Sequence, residues 1–180
     1  MKSKVQMLAM VIAMGAAVGT TACCKKGSPT SGSGTGSTSD LFTISNAHTQ
    51  FNAPAGWKQM KSGDWTQFMP ADKLASLAFV TFDRPGESTS RIGQIASVLN
   101  VQNIAWGSPR SGTLGVNSFP SHMGDGTCTI AGTSDPCYVW YATVNPGGAE
   151  QVLIVYAVNT AKGSAHKANA KAAIDSLRKM

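Results

Sequence analysis

The sequence predicts an α/β domain of the α+β kind, a largely antiparallel sheet sandwiched between helices, and three observations carry that expectation. In Gln151–Val158 both faces are apolar: Val152, Ile154, Tyr156 and Val158 alternate with Leu153, Val155 and Ala157. Leu77–Phe82 has the same character, with Leu77 and Phe79 against Ala78, Val80 and Phe82. A strand apolar on both sides is buried on both sides, so each face of the sheet needs a cover. Two segments with 3.6-residue periodicity supply those covers. The third observation is Asn145-Pro146-Gly147-Gly148, a turn signal that folds the last two long strands into an antiparallel hairpin.

In chain order, residues 1–22 read as an export signal. Lys2 and Lys4 give a positive start, Val5 to Val18 form an apolar stretch broken by Gln6, and small residues lead to Cys23. Fourteen residues at a helical rise of 1.5 Å reach about 21 Å, short of a ~30 Å hydrocarbon core, which argues against a retained anchor helix. The ending resembles a bacterial lipobox, the site at which a lipoprotein precursor is acylated on cysteine and cleaved. Thr21 and Ala22 match it, and Thr20 departs from the usual Leu. That resemblance implies a lipid on Cys23. Ordinary signal-peptidase cleavage after Ala22 is the alternative. Cys24 fits an acceptor poorly, because Cys23 would then precede it. A residue other than Asp at position 24 is similar to sorting toward an outer membrane, facing periplasm or cell surface.

Residues 23–40 are a tether. The stretch 27–39 holds only Gly, Ser, Thr and Pro, so it buries nothing and behaves as a flexible spacer. From Cys24 to Ser39 its r.m.s. reach is roughly 20–24 Å. A spacer between a cysteine and a domain makes physical sense if the cysteine is held at a membrane. Every aromatic residue falls between Phe42 and Tyr156, so the domain occupies residues 41–180.

Within the domain, β-like runs occur at 41–44, 65–68, 77–82, 101–106, 127–130, 138–144 and 151–158. The first helix follows Pro85-Gly86 and a Ser/Thr cluster, Ser88 to Ser90, able to cap it; its stripe is Ile92, Ile95, Ala96 and Leu99. The second opens at Ser164, taken as a capping serine, and carries Ala170, Ala173, Ile174 and Leu177 on one face. Lys167, Lys171, Arg178 and Lys179 lie opposite or near its end, where positive charge suits the helix dipole, and they read as a solvated face, with contact to anionic lipid as the alternative.

The order of these elements resembles the PsbP-like fold. An opening hairpin leads into Phe51-Asn52-Ala53-Pro54-Ala55-Gly56-Trp57, then Trp65, a strand and a helix, a run of antiparallel strands, and a terminal helix ending Ala173-Ile174-Asp175-Ser176-Leu177. That fold is shared by the photosystem PsbP subunit, the Ran-binding Mog protein and several small bacterial envelope lipoproteins. The resemblance implies a domain that binds or stabilises a protein partner. It places no metal-ligand motif on this chain.

Charge and motifs narrow the chemistry. The chain has 15 basic and 9 acidic residues; without Lys2, Lys4, Lys25 and Lys26, residues 40–180 keep 11 basic against 9 acidic groups. A balance that even is not the footprint of a nucleic-acid reader. Cys128 and Cys137, separated by eight residues, pair into a disulfide in an oxidising compartment. No Gly-x-Ser-x-Gly, dinucleotide or phosphate-loop motif occurs. Ser164-Ala165-His166-Lys167 matches Ser-x-x-Lys without the companion motifs. His48, His122 and His166 are scattered and read as surface residues without partners. The expectation is therefore no catalytic residue, no cofactor and no metal, with an unrecognised cell-wall or ester hydrolase site, or a carrier of a small apolar ligand between sheet and helix, as alternatives. Trp140, in an apolar strand beside Tyr138 and Tyr141, reads as core. Trp57 and Trp106, each beside a glycine at a loop edge, are the candidate partner-binding residues.

Overall fold

A computed structural model describes residues 40–83 and 86–180. The expected signal peptide, the lipid site at Cys23, Cys24 and nearly all of the tether lie outside the described residues. The architecture is the expected one: a large, wholly antiparallel sheet with helices on both faces.

The chain opens with a hairpin, β1 (Leu41–Ile44) and β2 (Thr49–Asn52), joined by a 3-10 turn at Ser45–Ala47. Next come β3 (Lys58–Ser62), β4 (Trp65–Met69) and β5 (Ala75–Phe82), then the helices α1 (Glu87–Gly93) and α2 (Ile95–Val98). Strands β6 (Val101–Trp106), β7 (Arg110–Leu114), β8 (Phe119–Ile130), β9 (Pro136–Val144) and β10 (Gln151–Asn159) follow. Helix α3 (Ser164–Asp175) and the short β11 (Arg178–Lys179) close the chain.

Eight strands form one sheet in the order β3-β4-β5-β10-β9-β8-β6, with β7 also on the outer edge of β8. Strand β8 is long enough to take both: β7 pairs with Phe119–Met123, and β6 with Gly126–Ile130. A bulge lies between Gln102 and Ala105, where Asn103 takes a left-handed φ of 54°. The opposite edge, β3, is exposed throughout and carries Lys58 and Lys61, charges that discourage edge-to-edge pairing. Strands β1, β2 and β11 make a separate three-stranded sheet.

Alternation in the two central strands divides the interior. Val152, Ile154, Tyr156 and Val158 of β10 and Leu77 and Phe79 of β5 join Ala170, Ala173, Ile174 and Leu177 in one core. Phe51 and Ile44 of the small sheet pack into the same core. Leu153, Val155, Ala157, Ala78, Val80 and Phe82 turn the other way, onto Ile95 and Leu99. The hairpin at Asn145-Pro146-Gly147-Gly148 forms as expected, with β9 and β10 antiparallel and Gly147 at φ 85°.

Some local expectations are corrected. Ser88, Thr89 and Ser90 lie inside α1 and do not cap it; Gly86 occupies the N-cap without a side-chain bond. The first helix is also two pieces, interrupted after Gly93, a poor helix former. Ser164 is the first residue of α3, not its cap, and Gly163 precedes it. A Cβ on Gly163 would stand 2.8 Å from the carbonyl oxygens of Leu74 and Asn159, so glycine lets the helix start against the sheet. Arg178 and Lys179 belong to β11, paired with β2, and not to the helix.

Candidate functional site

Helix width determines where the molecule has room. A helix with its side chains is ~10–12 Å across, and strands are ~4.8 Å apart, so one helix covers about two strands. On the α3 face, the small sheet and its aromatic cluster cover the β4–β5 side: Phe42, Phe51, Phe68 and Phe79 meet at centroid distances of 4.3–6.5 Å. Helix α3 packs on β10, β5 and β2. Strand β9 is left beyond its flank, with Tyr138 and Trp140 half-buried.

A cavity of about 290 Å³ opens there, between α3 and the sheet. Leu114, Trp140 and Ile174 make its apolar walls, Tyr138 and Tyr156 belong to the sheet side, and Lys167, Lys171 and Asp175 come from α3. Its size is near the lower end of ligand pockets, ~300–1,000 Å³. Leu114 reaches the wall because the β7–β8 turn closes on the end of α3: Val116 N–H donates to the Leu177 carbonyl at 2.8 Å. Gly115 permits that approach, since it has φ 75° and a Cβ would stand 2.2 Å from the same oxygen.

Tyr156 is only 4% exposed, and its hydroxyl has no hydrogen-bond partner among the described residues. Burial pushes its ionisation well above the ordinary tyrosine range, and Tyr138 adds to the effect. Tyr138 is itself shifted up by burial, with Asp125 as the second cause. Asp125 pairs with Arg110 and holds the guanidinium protonated. The two lysines differ: Lys171 pairs with Asp175 one turn on, while Lys167 places Nζ 5.4 Å from the Tyr138 ring centroid. Lys167 has no acidic partner among the described residues. The lysines are exposed, as the helix pattern placed them, and they also border the cavity. Trp140, expected in the core, packs against it from one side and faces the cavity with the other.

Other expected positions fall elsewhere. Trp57 precedes β3 and is half-buried against the α3-side core, its ring 5.8 Å from His166. It also lines a cleft of about 250 Å³ with Asp40 and Leu41. Trp106 ends β6 at the opposite edge of the sheet, 38% exposed, its ring edge-on to Tyr141 at 5.1 Å. Tyr141 packs into the other core, so the two tryptophans share neither a face nor an edge of the sheet.

Cys128 and Cys137 form the expected disulfide, as direct partners in the β8–β9 ladder. Gly132, at φ 78°, turns the chain between them.

Two histidines have partners that the sequence did not reveal. His166 Nε2 lies 2.7 Å from an Asp72 oxygen. Asp72 is held below the usual carboxylate range, first by the Leu74 N–H and then by His166. His122 Nδ1 lies 3.0 Å from Ser111 Oγ, across the β7–β8 ladder on an exposed surface. No carboxylate bonds to His122 among the described residues, so this pair lacks the orienting third group of a triad. Among the described residues no cluster of three His, Cys, Asp or Glu could hold a metal, and no helix is long and apolar enough to cross a membrane.

No family model matches the chain, and no curated protein is found similar to it. Among solved structures it is similar to a crystal structure from Bacteroides thetaiotaomicron VPI-5482, with a TM-score of 0.50 at 12% identity. The match covers 79% of this chain and 49% of that one, so this chain accounts for about half of its length. At that identity the likeness is one of fold.

Proposed function

We propose that the chain is a lipid-anchored protein of the bacterial envelope, held by acyl chains on Cys23, whose PsbP-like domain carries a small apolar ligand and does not catalyse. The envelope part is supported by the sequence: a positive start, an apolar stretch, small residues before Cys23, and a spacer without apolar side chains. Sorting to an outer membrane follows from the residue after Cys23.

The observation that carries the binding reading is the cavity between α3 and the sheet. It combines buried Ile174 and half-buried Trp140 and Leu114 with a polar side of Tyr138, Lys167, Lys171 and Asp175, the make-up of a small-molecule site. Native mass spectrometry of the full chain taken from the envelope tests it. A small-molecule adduct is expected on the wild type and absent from Leu114→Trp, whose indole fills the space. No adduct on either protein, or the same adduct on both, contradicts the reading.

A protein partner is the second reading, favoured by Trp106, exposed at the sheet edge on Tyr141. Because Trp57 lies elsewhere, the two do not build one patch, and a stable interface needs roughly 800 Å² from each partner. Affinity capture that fails with Trp106→Ala, from a protein that remains folded, would favour this reading. Turnover of an ester or peptidoglycan substrate, lost on changing Ser164 or His122, would replace both with a hydrolase.

A further inference from the structure

We propose that the cavity beside α3 selects an anionic amphiphile, a single apolar chain or ring ending in a carboxylate, with Lys167 pairing the head group. The proposal rests on the cavity being a ligand site, and adds the chemical class of the ligand.

The cavity is amphipathic. Leu114, Trp140 and Ile174 offer hydrocarbon and an indole face to an apolar body. Tyr138 and Lys167 form its polar part. Lys167 stands over the Tyr138 ring, and Tyr138 lies near enough to Tyr156 to raise its ionisation further.

Charge at this mouth is unbalanced. Lys171 is matched by Asp175, and Arg110 by Asp125, so Lys167 leaves one net positive charge. An ammonium over an aromatic ring has part of its solvation replaced by the ring face and keeps its donors for an anion. Tyr156 lines the cavity with its ring, while its hydroxyl is sealed from it. The hydroxyl is buried and without an acceptor, an arrangement that costs free energy. The modest volume fits one chain or ring and excludes a two-chain lipid.

The test is equilibrium dialysis of labelled decanoate and labelled decanol against the full chain in lipid nanodiscs, with empty nanodiscs subtracted. The two probes share a chain and differ in charge. Decanoate is expected to bind the wild type roughly tenfold more tightly than decanol. Lys167→Gln should remove that preference and leave decanol binding unchanged, and Lys167→Arg should keep it. Equal affinity for the two probes, or equal losses for both in Lys167→Gln, overturns the inference while leaving the cavity a ligand site. Binding of neither probe overturns the cavity reading itself.

Discussion

Tyr156 and Trp140 are direct cross-strand partners in the β9–β10 ladder, and both line the cavity beside α3, yet one is sealed and the other half-open. The helix packs on β10 and stops short of covering β9. Two neighbouring aromatic residues on one face of one sheet therefore become a buried residue and a cavity wall.

Replacing Tyr156 with Phe separates stability from binding. The variant removes a buried hydroxyl that lacks a partner, so the empty domain should be as stable as wild type or more stable by about 1 kcal/mol. Its affinity for decanoate should be unchanged, because the sealed hydroxyl is out of a ligand's reach. The folded tyrosine ionises above its ordinary value of 10.0, so its stabilising contribution is intact below about pH 10 and is lost as pH rises toward the folded value. Denaturation across pH 8–12 should show wild type losing stability at the alkaline end more steeply than Tyr156→Phe. Parallel losses would contradict this account.

The disulfide closes a loop of about ten residues, a gain of roughly 2.7 kcal/mol on the chain-entropy model. Cys137→Ser should lower stability by about 2–4 kcal/mol and leave the fold recognisable by circular dichroism. Thiol titration of denatured, unreduced envelope material should find neither Cys128 nor Cys137 free. Labelling of both would show the pair unbridged.

Trp57 and Trp106 are both half-open rings, so Ala at either position should cost roughly 1–2 kcal/mol, below the ~3–5 kcal/mol of a fully buried ring. Trp57→Ala should be the more costly, because it uncovers the α3-side core and removes the ring packed on His166. Equilibrium denaturation of both variants measures the difference. A larger loss from Trp106→Ala would reverse the assignment.

At the other end of the chain, intact mass should show loss of residues 1–22 and gain of lipid at Cys23, both abolished in Cys23→Ala. Two or three acyl chains make a stable anchor where one binds marginally. A mature chain beginning at an unmodified Cys23 contradicts the anchor.

The central strands were legible because burial on both faces leaves an unbroken apolar run, as in Leu153–Val158. The exposed ones were not. Lys58–Ser62 shows only polar and charged residues around Met60, and Arg110–Leu114 only one apolar side chain. The first half of β8 reads as turn-formers, Pro120 and Gly124, because its neighbours β7 and β9 pair with it through backbone. Gly124 has a packing reason: a Cβ there would stand 2.3 Å from the Tyr141 ring. The cavity was hidden for a different reason. It depends on how far one helix reaches across the sheet, and periodicity gives the buried stripe of α3 without its reach. The clue present in the sequence was Tyr138 and Trp140 on the same side of β9, two large aromatic residues facing a helix whose stripe is mainly alanine.

The most direct measurement is methyl NMR of the full chain in nanodiscs, titrated with decanol. The account predicts shifts at the Leu114 and Ile174 methyls, which line the cavity, with Ile95 and Leu99 on the far side of the sheet unmoved. Shifts spread over both faces, or unperturbed Leu114 and Ile174, would contradict it.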